Sequence, residues 1–241
     1  MTSLCFLRLA AVAAMALGLA ACGKSESYKY KLTLAVDTPL GIKRGSSVVE
    51  VLFYDVSIPA RGTMHKLRGE ALYLDLGPGA RPLVALLTSQ LHPKYGKEQR
   101  WTRDAGPGTR QMSGIYAQVP SEDFMDDVPR IASMRGPHAI TPADLPDLVT
   151  FADVNDPKSV IEVDPTDLQA TLGADISWNE ITLESTDEPV SKGIELKLPW
   201  LPAYFQKNLR LDGSNLGDTR ELANILSWFD FDQSSDLKRS N

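Results

Sequence analysis

The side chains most often used for catalysis are few in this chain and fall into no recognised spacing. The three histidines, His65, His92 and His138, lie in segments with the composition of loops. No H-x-x-x-H or H-E-x-x-H pair is present, which excludes a zinc site built on one helix. A Ser-His-Asp site stays open because its members meet only in space, although the G-x-S-x-G elbow is absent. We therefore predict no catalytic residue, no metal and no cofactor.

Residues 152–167 contain the best candidate for a metal site, with the sequence ADVNDPKSVIEVDPTD. Asp153 and Asn155 match the first two ligand positions of a calcium loop, but the next ligand position falls on Pro157 and the loop lacks its glycine. An Asx-type turn before Pro157, with Asp164 as a helix cap, accounts for the same residues. We expect the turn and the cap.

Aromatic residues near the C terminus form a candidate partner surface. The sequence LPWLPAYF concentrates Trp200, Tyr204 and Phe205 between prolines, and Trp228 follows further along the chain. Two interpretations stay open, an exposed recognition patch and a segment that covers the core. Large exposed apolar patches are rare on monomers and mark partner sites where they occur, so the core interpretation is favoured.

Charge disfavours one class of partner. The chain has 31 acidic and 25 basic residues and a net charge of −6. Affinity for a nucleic-acid backbone requires a basic face, so we predict no nucleic-acid partner. One basic cluster surrounds Tyr95 and Trp101 and comprises Lys94, Lys97, Arg100 and Arg103. It could face anionic lipid headgroups or belong to a solvated loop, and we favour the solvated loop.

The N-terminal segment has the features of an export signal. Residues 1–21 contain one basic residue, Arg8, and no acidic residue, and residues 9–21 are all apolar or small. A helix of thirteen residues would extend about 20 Å, which is shorter than the roughly 30 Å hydrocarbon layer. A removed targeting segment is therefore predicted in place of a permanent transmembrane helix.

The segment ends in Leu19-Ala20-Ala21-Cys22, which resembles the lipobox of bacterial lipoproteins. That resemblance implies cleavage before Cys22, addition of a diacylglycerol to its thiol and acylation of its new amino group. An ordinary secretory signal is the alternative. Because Gly and not Asp occupies position 23, the resemblance further implies the periplasmic face of the outer membrane; an inner-membrane lipoprotein or a secreted protein are the alternatives.

The resemblance divides the chain into three parts: a signal peptide over residues 1–21, the lipidated cysteine with a short tether over residues 22–27, and one globular domain over residues 28–241. Only Cys5 and Cys22 are present, so a mature chain anchored in this way would contain no disulfide. A tether of five residues extends at most about 17 Å, which would hold the domain close to the membrane.

Alternating hydrophobicity predicts an antiparallel sheet. The sequence YKYKLTLAV at residues 28–36, a turn signal at residues 38–41 and the run SSVVEVLFYDV predict a hairpin over residues 28–56 with a break at Gly45. Short connections without helices favour antiparallel pairing. Further strands are predicted at residues 69–76, 83–88, 114–119, 148–152, 159–163, 176–184 and 193–198.

Three helices complete the predicted α+β fold, which is mainly antiparallel sheet with a few short helices and an amphipathic C-terminal helix. The first begins near residue 121 and is interrupted by Pro129. The second spans residues 165–172, with Asp164 as its cap and Gly173 just past its end.

The third predicted helix spans residues 218–229, with Asp218 and Glu221 forming an approximate capping box. Its spacing places one apolar stripe against the sheet and a polar stripe in solvent. The apolar stripe comprises Leu222, Ile225, Leu226 and Phe229, and the polar stripe comprises Arg220, Glu221, Asn224 and Ser227. Docking of the apolar stripe on a partner is the alternative.

Residues 151–173 and 181–201 resemble a family of uncharacterised bacterial lipoproteins and exported proteins. This resemblance implies membership of a family but no activity and no catalytic residues. We expect a membrane-anchored, non-enzymatic binding or assembly component of the cell envelope with an unknown envelope partner. The rival is an envelope hydrolase acting on peptidoglycan, lipid or peptide through a carboxylate pair or a triad, which a deep pocket with converging acids or a histidine would favour.

Overall fold

The computed structural model describes residues 25–55, 63–89, 104–105, 124–217 and 221–234. The α+β class with mainly antiparallel sheet and a few short helices is confirmed. The strands are β1 Ser25–Asp37, β2 Lys43–Asp55, β3 Thr63–Arg68, β4 Leu72–Leu74, β5 Leu83–Ala85, β6 Thr88–Ser89, β7 Asp104–Ala105, β8 His138–Ala139, β9 Leu148–Phe151, β10 Val160–Val163 and β11 Ser177–Ser185. The α-helices are α1 Phe124–Ser133, α2 Leu168–Leu172, α3 Leu201–Lys207 and α4 Leu222–Ile225. Short 3₁₀ helices span Pro142–Asp144, Pro157–Ser159, Ile194–Leu196 and Trp228–Asp230.

The first sheet has five strands in the order β3-β2-β1-β11-β8, and all of its pairs are antiparallel. The predicted hairpin of β1 and β2 is confirmed, with the Gly41 N–H donating to the Thr38 carbonyl across the turn at 2.9 Å. Alternate residues of β1, from Tyr28 to Val36, are buried on one face. Gly45 does not break β2 as predicted; it pairs with Leu34, and a Cβ at Gly45 would lie 3.2 Å from Leu74.

The second sheet has the order β10-β9-β5-β4 and is covered on both faces. Leu83 and Ala85 of β5 belong to a first core that lies against the first sheet. Val84 belongs to a second core on the opposite face. Because successive side chains of a strand point to opposite faces, one continuous apolar run supplies both cores. β6 and β7 form a separate two-stranded sheet.

A third layer, formed by residues 194–217 and 221–232, packs on the second core. Its buried members include Leu198, Trp200, Leu201, Leu211, Leu226 and Phe231. Backbone hydrogen bonds fix this layer to the strands below it, since Ala71 N–H donates to the Phe231 carbonyl at 2.8 Å and Leu87 N–H to the Asp230 carbonyl at 2.9 Å. The described residues therefore form two packed sheets, the small β6–β7 sheet and one largely irregular layer.

Residues 186–192, here called the crossover segment, connect β11 to the third layer across the outer face of the first sheet. Thr186 N–H donates to the Lys29 carbonyl on β1, and Ser191 N–H donates to the Val48 carbonyl on the far edge of β2, both at 3.0 Å. Between them, Lys29 Nζ donates to the carbonyls of Asp187 and Glu188. Val48, on the outer face of the first sheet, is buried beneath this segment.

Several predicted strands are confirmed, and others are wrong. β9, β10 and β11 match the strands predicted at residues 148–152, 159–163 and 176–184. The strand predicted at residues 193–198 is instead a 3₁₀ helix, because Gly193 adopts φ +107° and the Glu70 carboxylate accepts the N–H groups of Gly193 and Ile194 at 2.9 and 3.0 Å. The strand predicted at residues 69–76 shortens to β4, and β3 was not predicted. The strand predicted at residues 114–119 lies outside the described residues.

Two helix predictions need correction. α1 continues through Pro129 to Ser133, so the predicted interruption is wrong. α2 ends before Gly173 as predicted, but Asp167, not Asp164, caps it by accepting the Ala170 N–H at 3.2 Å. Asp164 accepts the Thr166 N–H at 2.8 Å, which holds Pro165 in a turn before the helix.

The C-terminal helix is also shorter than predicted. Asp218 lies outside the described residues, and α4 ends at Ile225 because Leu226 adopts an extended conformation with ψ 151°. Asn224 and Ser227 are buried and do not face solvent, while Leu226 is fully buried. The single-helix stripe is therefore wrong, since the chain leaves the helix where the second core requires Leu226.

Candidate functional site

The residues of the candidate partner surface lie together in the third layer, at different depths. Trp200 is only 7% exposed and packs against Phe151 and Phe231 at ring distances of 6.0 and 5.5 Å, as the core interpretation predicts. Its indole N–H donates to the Val154 carbonyl at 3.0 Å. Tyr204 and Phe205 are half-buried. Trp228 lines an open cleft.

Helix α3 positions one side of this cleft. Pro202 in its first turn suits the helix start, and the helix ends at Asn208 in the left-handed conformation, φ 52°. The Asn208 N–H donates to the carbonyls of Phe205 and Tyr204 there. This C-cap geometry directs the Asn208 carboxamide toward Trp228, whose indole N–H donates to Asn208 Oδ1 at 3.1 Å.

The indole of Trp228 is held by two perpendicular rings. Phe205 and Phe229 lie at centroid distances of 4.7 and 5.6 Å, each at 86° to the indole. Edge-to-face packing of this kind is favourable because the positive ring edge meets the negative face. The 3₁₀ turn that carries Trp228 is itself fixed, since the buried Asp230 carboxylate accepts the Ser227 N–H at 2.8 Å and the Thr88 hydroxyl at 2.6 Å.

Arg210 forms the opposite side of the cleft. Its Nη1 donates to the carbonyls of Asn224 and Ile225 at 2.6 and 2.9 Å, which satisfies the end of α4. The guanidinium also lies close to Gly217, since a Cβ at that position would be 2.5 Å from Arg210 Nη2. The two hydrogen bonds to α4 therefore hold the side chain on one side, and Gly217 leaves room for it on the other.

The loop next to Arg210 is organised by one buried amide. Asn224 Nδ2 donates to Asp212 Oδ2 at 2.6 Å, to Ser214 Oγ at 3.1 Å and to the Leu216 carbonyl at 3.0 Å. Burial acts to raise the pKa of Asp212, but the hydrogen bonds from Asn224 and Ser214 and the charge of Arg210 together lower it. The ionised, hydrogen-bonded Asp212 thus keeps the loop that carries Asn215 in place.

These elements enclose a cleft of about 280 Å³, here called the Trp228 cleft. Its lining residues are Asn208, Arg210, Asn215, Ser227, Trp228 and Phe229. The described lining residues offer an indole, a phenyl ring, two carboxamides, a guanidinium and a hydroxyl, and no carboxylate is among them. Such an arrangement can hold a ring by stacking and orient it by hydrogen bonds, but these described residues include no group suited to general acid or base catalysis.

A second depression, of about 470 Å³, lies on the outer face of the first sheet. Its floor includes Thr33, Ser46 and Thr182, which are neighbours across three strands. Its charges pair with one another: Arg44 with Glu180, and Lys31 Nζ with Glu188 at 2.6 Å and Glu184 at 3.9 Å. Because these pairs complete the sheet surface, we assign the depression a structural role.

The most perturbed carboxylate belongs to a structural contact. Glu70 is 4% exposed, and burial raises its pKa to about 7 against the hydrogen bonds from Gly193 and Ile194; the charges of Asp232 and Glu195 add to the rise. The carboxylate caps the 3₁₀ turn after the crossover segment, and it lines neither the Trp228 cleft nor the depression on the first sheet. We therefore assign Glu70 a structural role.

Other predicted chemical features are dispersed. His65 and His138 are exposed on β3 and β8, and His92 lies outside the described residues. Asp153 Oδ1 accepts the Asn155 N–H at 2.9 Å, so the Asx-type turn is confirmed. Within the described ranges, no three His, Cys, Asp or Glu side chains are grouped in a way that would hold a metal ion.

The predicted lipidation site, Cys22, and the basic cluster at residues 94–103 lie outside the described residues. Among the helices of the described part of the chain, none is long and apolar enough to cross a membrane. Comparison with family models, curated proteins and solved structures returned no match to this chain.

Sequence reasoning missed two of the residues that shape the cleft. Asn208 had a local signal, because Lys in the last turn followed by Asn is typical of a helix C terminus. Arg210 had none, since its role depends on carbonyls 14 and 15 residues further along the chain.

Proposed function

We propose that this protein is a non-enzymatic binding component of the bacterial cell envelope, anchored through Cys22, and that the Trp228 cleft is its binding site. The anchor rests on the LAAC sequence at residues 19–22 and the apolar run before it. The cleft is the observation that carries the binding proposal. It is open, its rings and its Arg210 side are held by surrounding contacts, and its described lining residues include no acid–base pair.

Fixed lining residues support binding because little side-chain freedom is lost when a ligand enters. Ordering a long side chain on binding costs about 0.5–1.5 kcal/mol, and the bonds of Arg210 to two carbonyls and of Trp228 to Asn208 already restrict these side chains. Aromatic and arginine residues are also those that contribute most at binding sites.

Two exposed leucines, one beside the cleft and one far from it, allow a direct test in cells. Leu216, next to Asn215 of the cleft, is 66% exposed, and Leu40, at the tip of the β1–β2 hairpin, is 63% exposed. A photo-crosslinking residue at position 216 is expected to capture one defined envelope molecule, and the same residue at position 40 is not. Capture from position 216 is expected to fall when Trp228→Ala is added.

The anchor is tested in the same strains. Cys22→Ala is expected to abolish incorporation of labelled fatty acid, release the protein from the membrane fraction and reduce capture from position 216. Equal capture from positions 216 and 40 would contradict the cleft as the binding site. Labelled, membrane-bound Cys22→Ala protein would contradict the anchor.

A further inference from the structure

We infer that the Trp228 cleft takes one pyranose ring of an envelope glycan. This inference rests on the proposed function, because it names the ligand class of the same site. The cleft volume, about 280 Å³, is just below the 300–1,000 Å³ typical of small-molecule sites, so it suits a single ring and not an extended ligand.

The aromatic wall favours a sugar over a purely polar ligand. A pyranose ring has one face of C–H bonds, which carry partial positive charge, and the indole face carries negative charge. The Trp228 plane is fixed by its bond to Asn208 and by two perpendicular phenyl rings. A ring that enters the cleft therefore meets an aromatic wall of set orientation.

The polar wall supplies donors for the hydroxyl edge of that ring. Asn208 uses Oδ1 to accept from Trp228, and within the described residues its Nδ2 has no hydrogen-bond partner. The Asn215 carboxamide is likewise without a partner in the described part of the chain. Arg210 Nη1 donates to two carbonyls, and the second terminal nitrogen of the guanidinium, Nη2, takes no part in these two hydrogen bonds. Donors on one side and an apolar face on the other match a sugar ring bearing acceptor groups.

The lining chemistry also argues against a basic or purely apolar ligand. No carboxylate is among the described residues that line the cleft, and among these residues only Arg210 carries a formal charge. A cationic ligand would meet this charge without a described counter-charge, and an apolar ligand would cover the carboxamides of Asn208 and Asn215 without pairing their donors.

Binding of the purified full-length protein, in detergent, to two glycan probes tests this inference. The probes are peptide-free glycan strands from peptidoglycan and the oligosaccharide released from lipopolysaccharide by mild acid, and binding is measured by calorimetry. Binding to at least one probe is expected, and the probe that binds identifies the source of the sugar. Failure of both probes would overturn the glycan inference, whereas the proposed function would stand if Leu216 crosslinking still captures a molecule.

Asn208→Asp is the decisive variant. It keeps Oδ1 for the Trp228 N–H and tolerates the left-handed backbone, but it replaces the donor Nδ2 with an acceptor. Loss of one hydrogen bond and repulsion of ligand acceptors are expected to weaken glycan binding by tenfold or more, at about tenfold for 1.4 kcal/mol. The melting temperature is expected to change little.

Gln169→Glu is the matched control, because it adds the same negative charge at an exposed position of α2. This variant is expected to bind glycan like the unmodified protein. Trp228→Phe retains an aromatic ring in the cleft but reduces the area available for stacking. It therefore tests the loss of stacking area without unfolding the protein. Unchanged glycan binding by Asn208→Asp and Trp228→Phe would place the binding site elsewhere and overturn the inference.

Discussion

The two cores of this protein are built in different ways. The first core, between the two sheets, is mainly aliphatic, and strand ladders satisfy the backbone around it. The second core, beneath the third layer, centres on Phe151, Trp200 and Phe231, and the backbone that covers it is mostly irregular. In this region side chains satisfy backbone groups that a strand ladder would otherwise pair. Glu70, Asp230 and Arg210 each hydrogen-bond directly to the backbone.

This difference explains where the cleft lies. An irregular segment leaves backbone donors and acceptors that only side chains or water can satisfy. The side chains recruited for that task hold Arg210 and Trp228 at fixed positions on the surface. The two sheets form the scaffold of the protein, and the irregular third layer forms the surface that contains the cleft.

Truncation of one buried side chain in each core should show most clearly that the two regions unfold differently. Leu34→Ala in the first core and Phe231→Ala in the second remove fully buried side chains, with expected losses of about 2–5 and 3–5 kcal/mol in the free energy of unfolding. Leu34→Ala should shift all unfolding signals together, because β1 is central to the first sheet. Phe231→Ala should open the third layer first.

Urea unfolding followed by far-ultraviolet circular dichroism and by tryptophan fluorescence checks this pair. The fluorescence is measured with Trp101→Phe and Trp178→Phe in the background, because Trp178 packs against the first core whereas Trp200 and Trp228 report on the third layer. Coincident transitions for Phe231→Ala would show that the two cores unfold as one unit, and the comparison would then fail.

A buried acid of the irregular region should make stability depend on pH. Since the pKa of Glu70 rises from its usual value of 4.5 to about 7 on folding, its contribution favours folding at low pH and is lost as the pH rises through about 7. Between pH 5 and pH 8 the unmodified protein is expected to lose about 2–3 kcal/mol relative to Glu70→Gln, at 1.36 kcal/mol per pKa unit.

Urea titrations at both pH values measure this difference. Glu184→Gln, on the exposed face of the first sheet, serves as the control and should follow the unmodified protein. A Glu70→Gln variant with the same pH dependence as the unmodified protein would show that the buried carboxylate does not titrate in this range.

The smallest expected effects on stability come from a comparison of two arginine substitutions, one in each region. Arg210→Ala removes hydrogen bonds to two backbone carbonyls and should cost about 1–3 kcal/mol. Arg44→Ala removes an exposed ion pair with Glu180 and should cost less than about 1 kcal/mol. Melting temperatures of the two variants rank them, and an equal effect would mean that the guanidinium bonds of Arg210 add no more than a surface pair.

The sequence predicts the regular region better than the irregular one, for physical reasons. Alternation along β1 and β11 is local, so their positions could be predicted from the residues themselves. The turn at Gly193 depends on Glu70, 123 residues earlier, and no local pattern shows such a bond. β3 was missed because Leu67 is the only buried apolar side chain described on that strand.

The site was predictable only in part. Trp228 belonged to the candidate partner surface, but the predicted C-terminal helix would have directed it differently. The real chain leaves α4 after Ile225, because Leu226 enters the second core and Asn224 bonds to a loop that precedes it by up to twelve residues. Long-range packing therefore overrode a favourable helical pattern.

The position of β1 has a consequence for how the chain folds. Its first neighbour, β2, follows after a short turn, but its second neighbour, β11, includes Ser185, 156 residues after Lys29. Pairing between such distant segments slows folding, because the ends of a long loop must meet before the contacts form. As synthesis proceeds from the N terminus, the hairpin of β1 and β2 exists with one open edge until β11 is made. An open strand edge pairs readily with other chains, so this interval is when the protein is most exposed to aggregation.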